Sequence, residues 1–262
     1  MSSVTYIKET GLPTLAIGAI AGLGGGLVSL GGGTLVIPML MGWLNLDPLA
    51  ARGTAIAVSL FSAGAGALIY GRHGMLDLPV ALWVAAPSFF LAPILAAKTE
   101  HWPARRLKAI FGTVVAIGGI VVIFKDQFTG GLILPAQWKP LWLTLIGVIE
   151  GTVAGVIGIS GGPVLAPLFV LGLGMPQQLA QGCSLAARLP AIISGIWENA
   201  QLGNIHWALL PGLAGGALPG AWLGSRVALL LPEHGLRLVF GLLLIALGVH
   251  YLMGGGHHER RA

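Results

Sequence analysis

The chain has 262 residues, 55% of them hydrophobic and 9% charged, with a net charge of +5. A soluble domain carries about 25% charged residues, so ions cannot cover this surface and the solvent must be lipid. The single cysteine excludes an internal disulfide and a cysteine-based metal cluster. The positive charge reads as anchoring at a membrane face rather than nucleic-acid binding.

The N-terminal "MSSVTYIKETGLPTLAIGAI" lacks a basic start and a small-residue cleavage site, so no removable signal peptide is expected. Apolar stretches of about 20 residues, the length that spans a hydrocarbon core, then recur along the chain. They are continuous rather than alternating, which predicts helices and not a β-barrel. In the first, "GLGGGLVSLGGG" places seven glycines in twelve positions. Glycine costs about 1 kcal/mol in a helix interior. Gly22 and Gly26 have the four-residue spacing of close helix packing, as do Gly151 and Gly155 later. Three consecutive glycines exceed what packing needs. The excess predicts a broken or re-entrant helix at 31–33, which membranes tolerate only where the backbone lines a cavity or is buried in protein. Three cleaner spans follow at 47–70, 78–97 and 104–124. After the polar "KDQFTGGLILPAQWKP" the pattern returns: "GTVAGVIGISGG" with a break expected at 160–162, then spans at 176–199, 206–231 and 234–253.

A shift of 129 residues lays one half on the other. Gly26 meets Gly155, Gly32 and Gly33 meet Gly161 and Gly162, Pro38 meets Pro167, Gly53 meets Gly182, and Phe111-Gly112 meets Phe240-Gly241. The boundaries are 1–126 for the first repeat, 127–139 for the linker, and 140–262 for the second repeat with its basic C-terminal tail. If each broken segment turns back, each half crosses the membrane three times and the halves must be inverted. The N-terminus, the 98–108 loop (Lys98, Arg105, Arg106, Lys108) and the tail then share one side. The facing loops hold Arg72, Lys125, Lys139, Arg226 and Arg237. The positive-inside rule places both termini in the cytoplasm. The fold class is therefore an all-α polytopic membrane protein of two homologous, inverted repeats, each a glycine-broken segment plus three transmembrane helices.

Broken helices at corresponding places of two halves point to a transporter's binding site, and half-helix N-termini favour an anion. The candidate solute ligands are Gly32, Gly33 and Thr34 at the first break and Ser160, Gly161 and Gly162 at the second. Arg188 joins them. It sits about a dozen residues into its span, where a charge is costly unless it faces a cavity or a partner. It serves either a bound anion or an ion pair with Glu150; Glu198, ten residues along the same span, is about 15 Å away by helical rise. Arg52 and its counterpart Gln181 each precede a shared glycine. Arg52 is either an interface anchor or a forked ligand for a sulfonate or carboxylate. Glu150 is a candidate for proton coupling if burial raises its pKa, or a cap on the second break. Glu198 reads as a polar helix end facing water, and Asn199 as a solute hydrogen-bond donor. Ser29, Thr34, Thr54, Ser160, Cys183 and Ser184 either satisfy freed backbone groups or bond an oxyanion, with Cys183 read as a small core residue. The seven histidines show no metal spacing, and no nucleotide loop, triad or carboxylate pair points to an enzyme or to a cofactor.

The stretches "GLGGGLVSLGGGTLVIPML", "AGVIGISGGPVLAPLF" and "ARGTAIAVSLFSAGAGALIYGRHG" resemble the TauE/SafE family of sulfite and organosulfonate exporters, over nearly the whole chain. The resemblance implies a multi-pass carrier of the bacterial inner membrane for small sulfur-containing anions such as sulfite or sulfoacetate, working by alternating access between the half-chains. Its partners would be that solute and the bilayer, without nucleic acid, and a homodimer is compatible with it. An anion or small-solute channel is the alternative reading, and a scaffold with glycines for packing alone is a third.

Overall fold

The computed structural model describes residues 3–29, 32–99, 104–128, 135–157 and 162–253. Every regular element among them is helical: α1 (Ser3–Val28), α2 (Gly33–Trp43), α3 (Pro48–Arg72), α4 (Leu78–Thr99), α5 (Ala104–Ile123), the single turn α6 (Lys125–Phe128) and a 3-10 turn (Ala136–Trp138), then α7 (Lys139–Ile157), α8 (Gly162–Gly172), α9 (Gln177–Ala187), α10 (Leu189–Gln201), α11 (Leu210–Leu230) and α12 (Glu233–Met253). Among the described residues, four stretches are long and apolar enough to cross a membrane: Gly11–Val28, Pro48–Arg72, Gln177–Gln201 and Glu233–Met253. Large apolar side chains such as Leu82, Trp83, Phe90, Ile117 and Leu242 are more than half exposed, a surface suited to lipid.

The element bounds recur at the 129-residue offset. α2 and α8 begin at Gly33 and Gly162 and end at Trp43 and Gly172; α3 covers Pro48–Arg72, while α9 and α10 together cover Gln177–Gln201. Backbone turns recur as well. Gly74 and Gly203, just past α3 and α10, hold φ of 71° and 72°, and Asn45 and Gly174 hold 51° and 65°. The left-handed residue after a helix closes its last carbonyls, and glycine takes it without a Cβ penalty.

Glycine spacing sets which helices touch. Gly18, Gly22 and Gly26 on α1 lie against the backbone of Leu213, Ala217 and Ala221 on α11, and Gly216, Gly220 and Gly224 return the contact on Leu15, Ala19 and Leu23. Residue numbers rise together, so the two helices run parallel. Gly147 and Gly151 on α7 meet Val84 and Ser88 on α4 in the corresponding way. On α5 and α12, Gly112 faces the carbonyl of Gly248 and Gly119 that of Gly241; this pair runs antiparallel. Small residues let these backbones approach in lipid, where packing and not water drives association.

The first glycine cluster divides its labour. α1 runs unbroken through Gly22–Gly26, which pack, and stops at Val28. Ser29 (φ 48°) and Gly32 (φ 72°) then turn the chain, and Gly32 comes back against Ala21, whose carbonyl oxygen is 3.3 Å from where a Cβ would stand. Of the second expected break, Ser160 and Gly161 lie outside the described residues. The span expected at 176–199 is present as Gln177–Gln201, but it is interrupted at Arg188, where α9 gives way to α10. Pro190 is the cause: it has no N–H for the carbonyl of Ala186. The Arg188 amide donates to that Ala186 carbonyl instead.

Candidate functional site

Arg188 sits at the parting of α9 and α10 and is fully buried. Its Nε donates to the carbonyl of Ser184 at 3.1 Å, a carbonyl that a continuous helix would have bonded to the Arg188 amide. The guanidinium lies against the α-carbon of Gly162, the first residue of α8, in the space a side chain there would fill. The carbonyl oxygen of Ser29, from the first break, presses on the same point, 2.6 Å from that missing Cβ. Arg188 thus stands where the end of α1, the start of α8 and the α9–α10 kink converge. Glu150, itself buried on α7, acts on the guanidinium through its charge.

The first break is lined by α3. Ser62 Oγ is 3.0 Å from a Cβ built on Gly32, and Ser59 Oγ is 2.7 Å from one built on Gly33. Both serines bond their own helix, Ser59 to the carbonyl of Ala55 at 2.8 Å and Ser62 to that of Ser59 at 3.3 Å. Thr34 is buried, and its hydroxyl, like those of Ser29 and Ser184, has no hydrogen-bond partner among the described residues. Buried polar atoms are nearly always paired, so such a group asks for an explanation.

Gln181 is fully buried two turns before Arg188 on α9. Tyr70 Oη is 2.6 Å from its Oε1 and 3.1 Å from the carbonyl of Gly26. One hydroxyl hydrogen serves one acceptor, and the shorter contact takes it; Ser225 Oγ, at 3.4 Å, donates to Gly26. Nε2 of Gln181 is left without a partner among the described residues.

Other expected ligands lie elsewhere. Arg52 is partly exposed, and the charge acting on it is that of Glu198, at the far end of α10 from Arg188. Glu198 is exposed, as a polar helix end should be. Asn199 is buried but spends its amide on the carbonyl of Gly195 at 2.8 Å. Thr54 accepts the amide of His206 and Cys183 that of Asp77, so both hold loops. Tyr70 and Gln177 escaped the sequence reading; the signal was a polar side chain inside an apolar span.

A profile of the family described as sulfite exporter TauE/SafE matches residues 14–251. The chain belongs to this family. Its relatives carry similar descriptions. It is 24% identical over 247 residues to the "Probable membrane transporter protein YjnA" of Bacillus subtilis, covering 90% of this chain and 95% of that protein. It is 26% identical over 251 residues to a "Probable membrane transporter protein" of Xylella fastidiosa, covering 91% and 94%. A third of the same description, from Haemophilus influenzae, is 23% identical over 262 residues, covering 91% and 97%. No solved structure matches the chain. The first break, the start of α8, Arg188 and Gln181 fall within the stretch the family profile matches, and family membership makes this a multi-pass membrane protein of transport function.

Proposed function

We propose that the chain exports small sulfur-containing anions, such as sulfite or sulfoacetate, by alternating access between two inverted halves of a bacterial inner membrane carrier. The observation that carries this reading is the burial of Arg188 where both halves meet, against Gly162 and beside Ser29. The start of α8 adds helix N–H groups and partial positive charge to the guanidinium. Gly162, Thr34, Gln181 and Arg188 are the solute ligands in this reading, with Gly32 and Gly33 letting the backbone approach. Ser160 and Gly161 extend the same set. Arg52 and Asn199 are at the outer end of α3 and α10, where they serve entry or closure. Glu150 balances Arg188 and is placed to take up a proton when the anion leaves.

Inversion is supported by counterpart helices. α5 and α12 occupy corresponding places in the two halves yet pack antiparallel; a two-fold axis along the membrane normal would make them parallel. With the halves inverted, Lys98, Arg105, Arg106 and Lys108 face the cytoplasm with both termini. The interior-negative potential then drives monoanion export by roughly 2.3 kcal/mol per 100 mV.

The test is thermal denaturation of the purified protein with sulfite, sulfoacetate, sulfate and acetate, beside Arg188→Ala. Sulfite or sulfoacetate should stabilise the wild type selectively, and the variant should lose that response. A wild type indifferent to every anion, or an equally responsive variant, sinks the proposal.

A further inference from the structure

Gln177, Gln181, Ser184 and Arg188 recur at four-, three- and four-residue steps, which places the first three on one face of α9 and Arg188, its C-cap, at the end of the same face. All four are fully buried. Both amide atoms of Gln177, Nε2 of Gln181 and Oγ of Ser184 have no hydrogen-bond partner among the described residues. The neighbouring face, Ala180, Cys183 and Ala187, is committed to a core of Val80, Val84, Leu165 and Phe169. Beyond Arg188, on α10, the unpartnered polar groups stop among the described residues: Ile192 continues the buried surface, and Asn199 spends its amide on the Gly195 carbonyl. The first half differs: Ser59, the counterpart of Arg188, and Ser62 on α3 bond carbonyls of their own helix.

A buried amide without a partner forfeits its hydration with nothing in return, and several on one face of an 11-residue helix have no use in packing. We propose that this stripe is the route by which the anion travels between Arg188 and the membrane face at the start of α9, each amide or hydroxyl offering a hydrogen bond in turn. From Gln177 to Arg188 the helical rise is about 16 Å, roughly half a hydrocarbon core. At the outer end, Lys125 Nζ donates to the carbonyl of Met175 at 3.0 Å and Gln178 to that of Leu231 at 3.2 Å. These two bonds shut the mouth in this state. Gln177 is the first station inside it. The inference rests on reading Arg188 as the anion site.

Cysteine accessibility tests it. In a Cys183→Ser background, which keeps an acceptor for the Asp77 amide, single cysteines replace Gln177, Gln181, Ser184, and as controls Ala180 and Leu185. Each variant is reconstituted into proteoliposomes and treated with the anionic, membrane-impermeant reagent 2-sulfonatoethyl methanethiosulfonate. Thiol reactivity follows access, so the three stripe positions should react at least about tenfold faster than the two controls. Sulfoacetate should slow them. Gln177→Cys and Ser184→Cys remove no side-chain bond to the described protein, so they report even if Gln181→Cys misfolds. Rates no faster than the controls overturn the route. Fast labelling that sulfoacetate leaves unchanged upholds the route and instead sinks the assignment of the solute.

Discussion

The Arg188 guanidinium occupies the space that any side chain on Gly162 would need, and the Ser29 carbonyl bounds that space from the other half. One methyl group at Gly162 must therefore push the cation out of place or separate the start of α8 from Ser29. Gly162→Ala should weaken anion affinity at least tenfold, about 1.4 kcal/mol, measured as the loss of sulfite-dependent thermal stabilisation. Gly42→Ala, with nothing within 4 Å of its added carbon, should bind as the wild type does. Unchanged affinity in Gly162→Ala would place the anion away from Arg188.

Thr54 and Cys183, at the same position of each half, make the same bond. Thr54 Oγ1 accepts the His206 amide at 3.0 Å and Cys183 Sγ accepts the Asp77 amide at 3.3 Å. Thr54→Val should cost roughly 1 kcal/mol by leaving an amide unpaired, lowering the denaturation temperature. Cys183→Ser should be nearly neutral, since a hydroxyl is also an acceptor. A strongly destabilised Cys183→Ser would mean that sulfur volume, and not the bond, matters there.

Two helix glycines should respond to alanine with opposite sign. A Cβ on Gly22 would strike the backbone of Ala217, whereas one on Gly64 meets nothing within 4 Å. Gly22→Ala should destabilise or prevent assembly, since overpacking costs about 1–3 kcal/mol. Gly64→Ala should gain up to about 1 kcal/mol of helix propensity. Thermal denaturation of both in one detergent checks the pair; a shared sign refutes the close packing of α1 on α11.

Lys125, which opens α6, joins the first half to two parts of the second, the carbonyl of Met175 and, at 3.4 Å, Glu233. The Glu233 side chain is 41% exposed, so its ion pair is worth at most about 1 kcal/mol. The bond to the buried carbonyl should dominate at roughly 1.5–3 kcal/mol, as for a charged donor. Lys125→Met should therefore lower the denaturation temperature clearly more than Glu233→Gln. Equal losses would assign the stabilisation to the ion pair.

What local chemistry dictates was readable from the chain. The glycine-rich sequence marked a break near 31–33, and α1 ends at Val28 just before it, although the helix carries the equally glycine-rich Gly24–Gly26 without breaking. Four-residue glycine spacing prescribes close packing, and Gly22 and Gly151 are so used. The kink at Arg188 was also written locally, in Leu189-Pro190, but the surrounding apolar run hid it. By itself the sequence determined the lipid solvent, the helical class, the 129-residue recurrence and the cost of a buried arginine, because composition and backbone chemistry act over a few residues. Only the tertiary structure decided that Arg188 rests on Gly162 rather than joining Arg52, that Gln181 meets Tyr70 from 111 residues away, and that α1 packs on a helix of the other half. Those contacts depend on which backbones can approach one another in space, and no single stretch of chain carries that information.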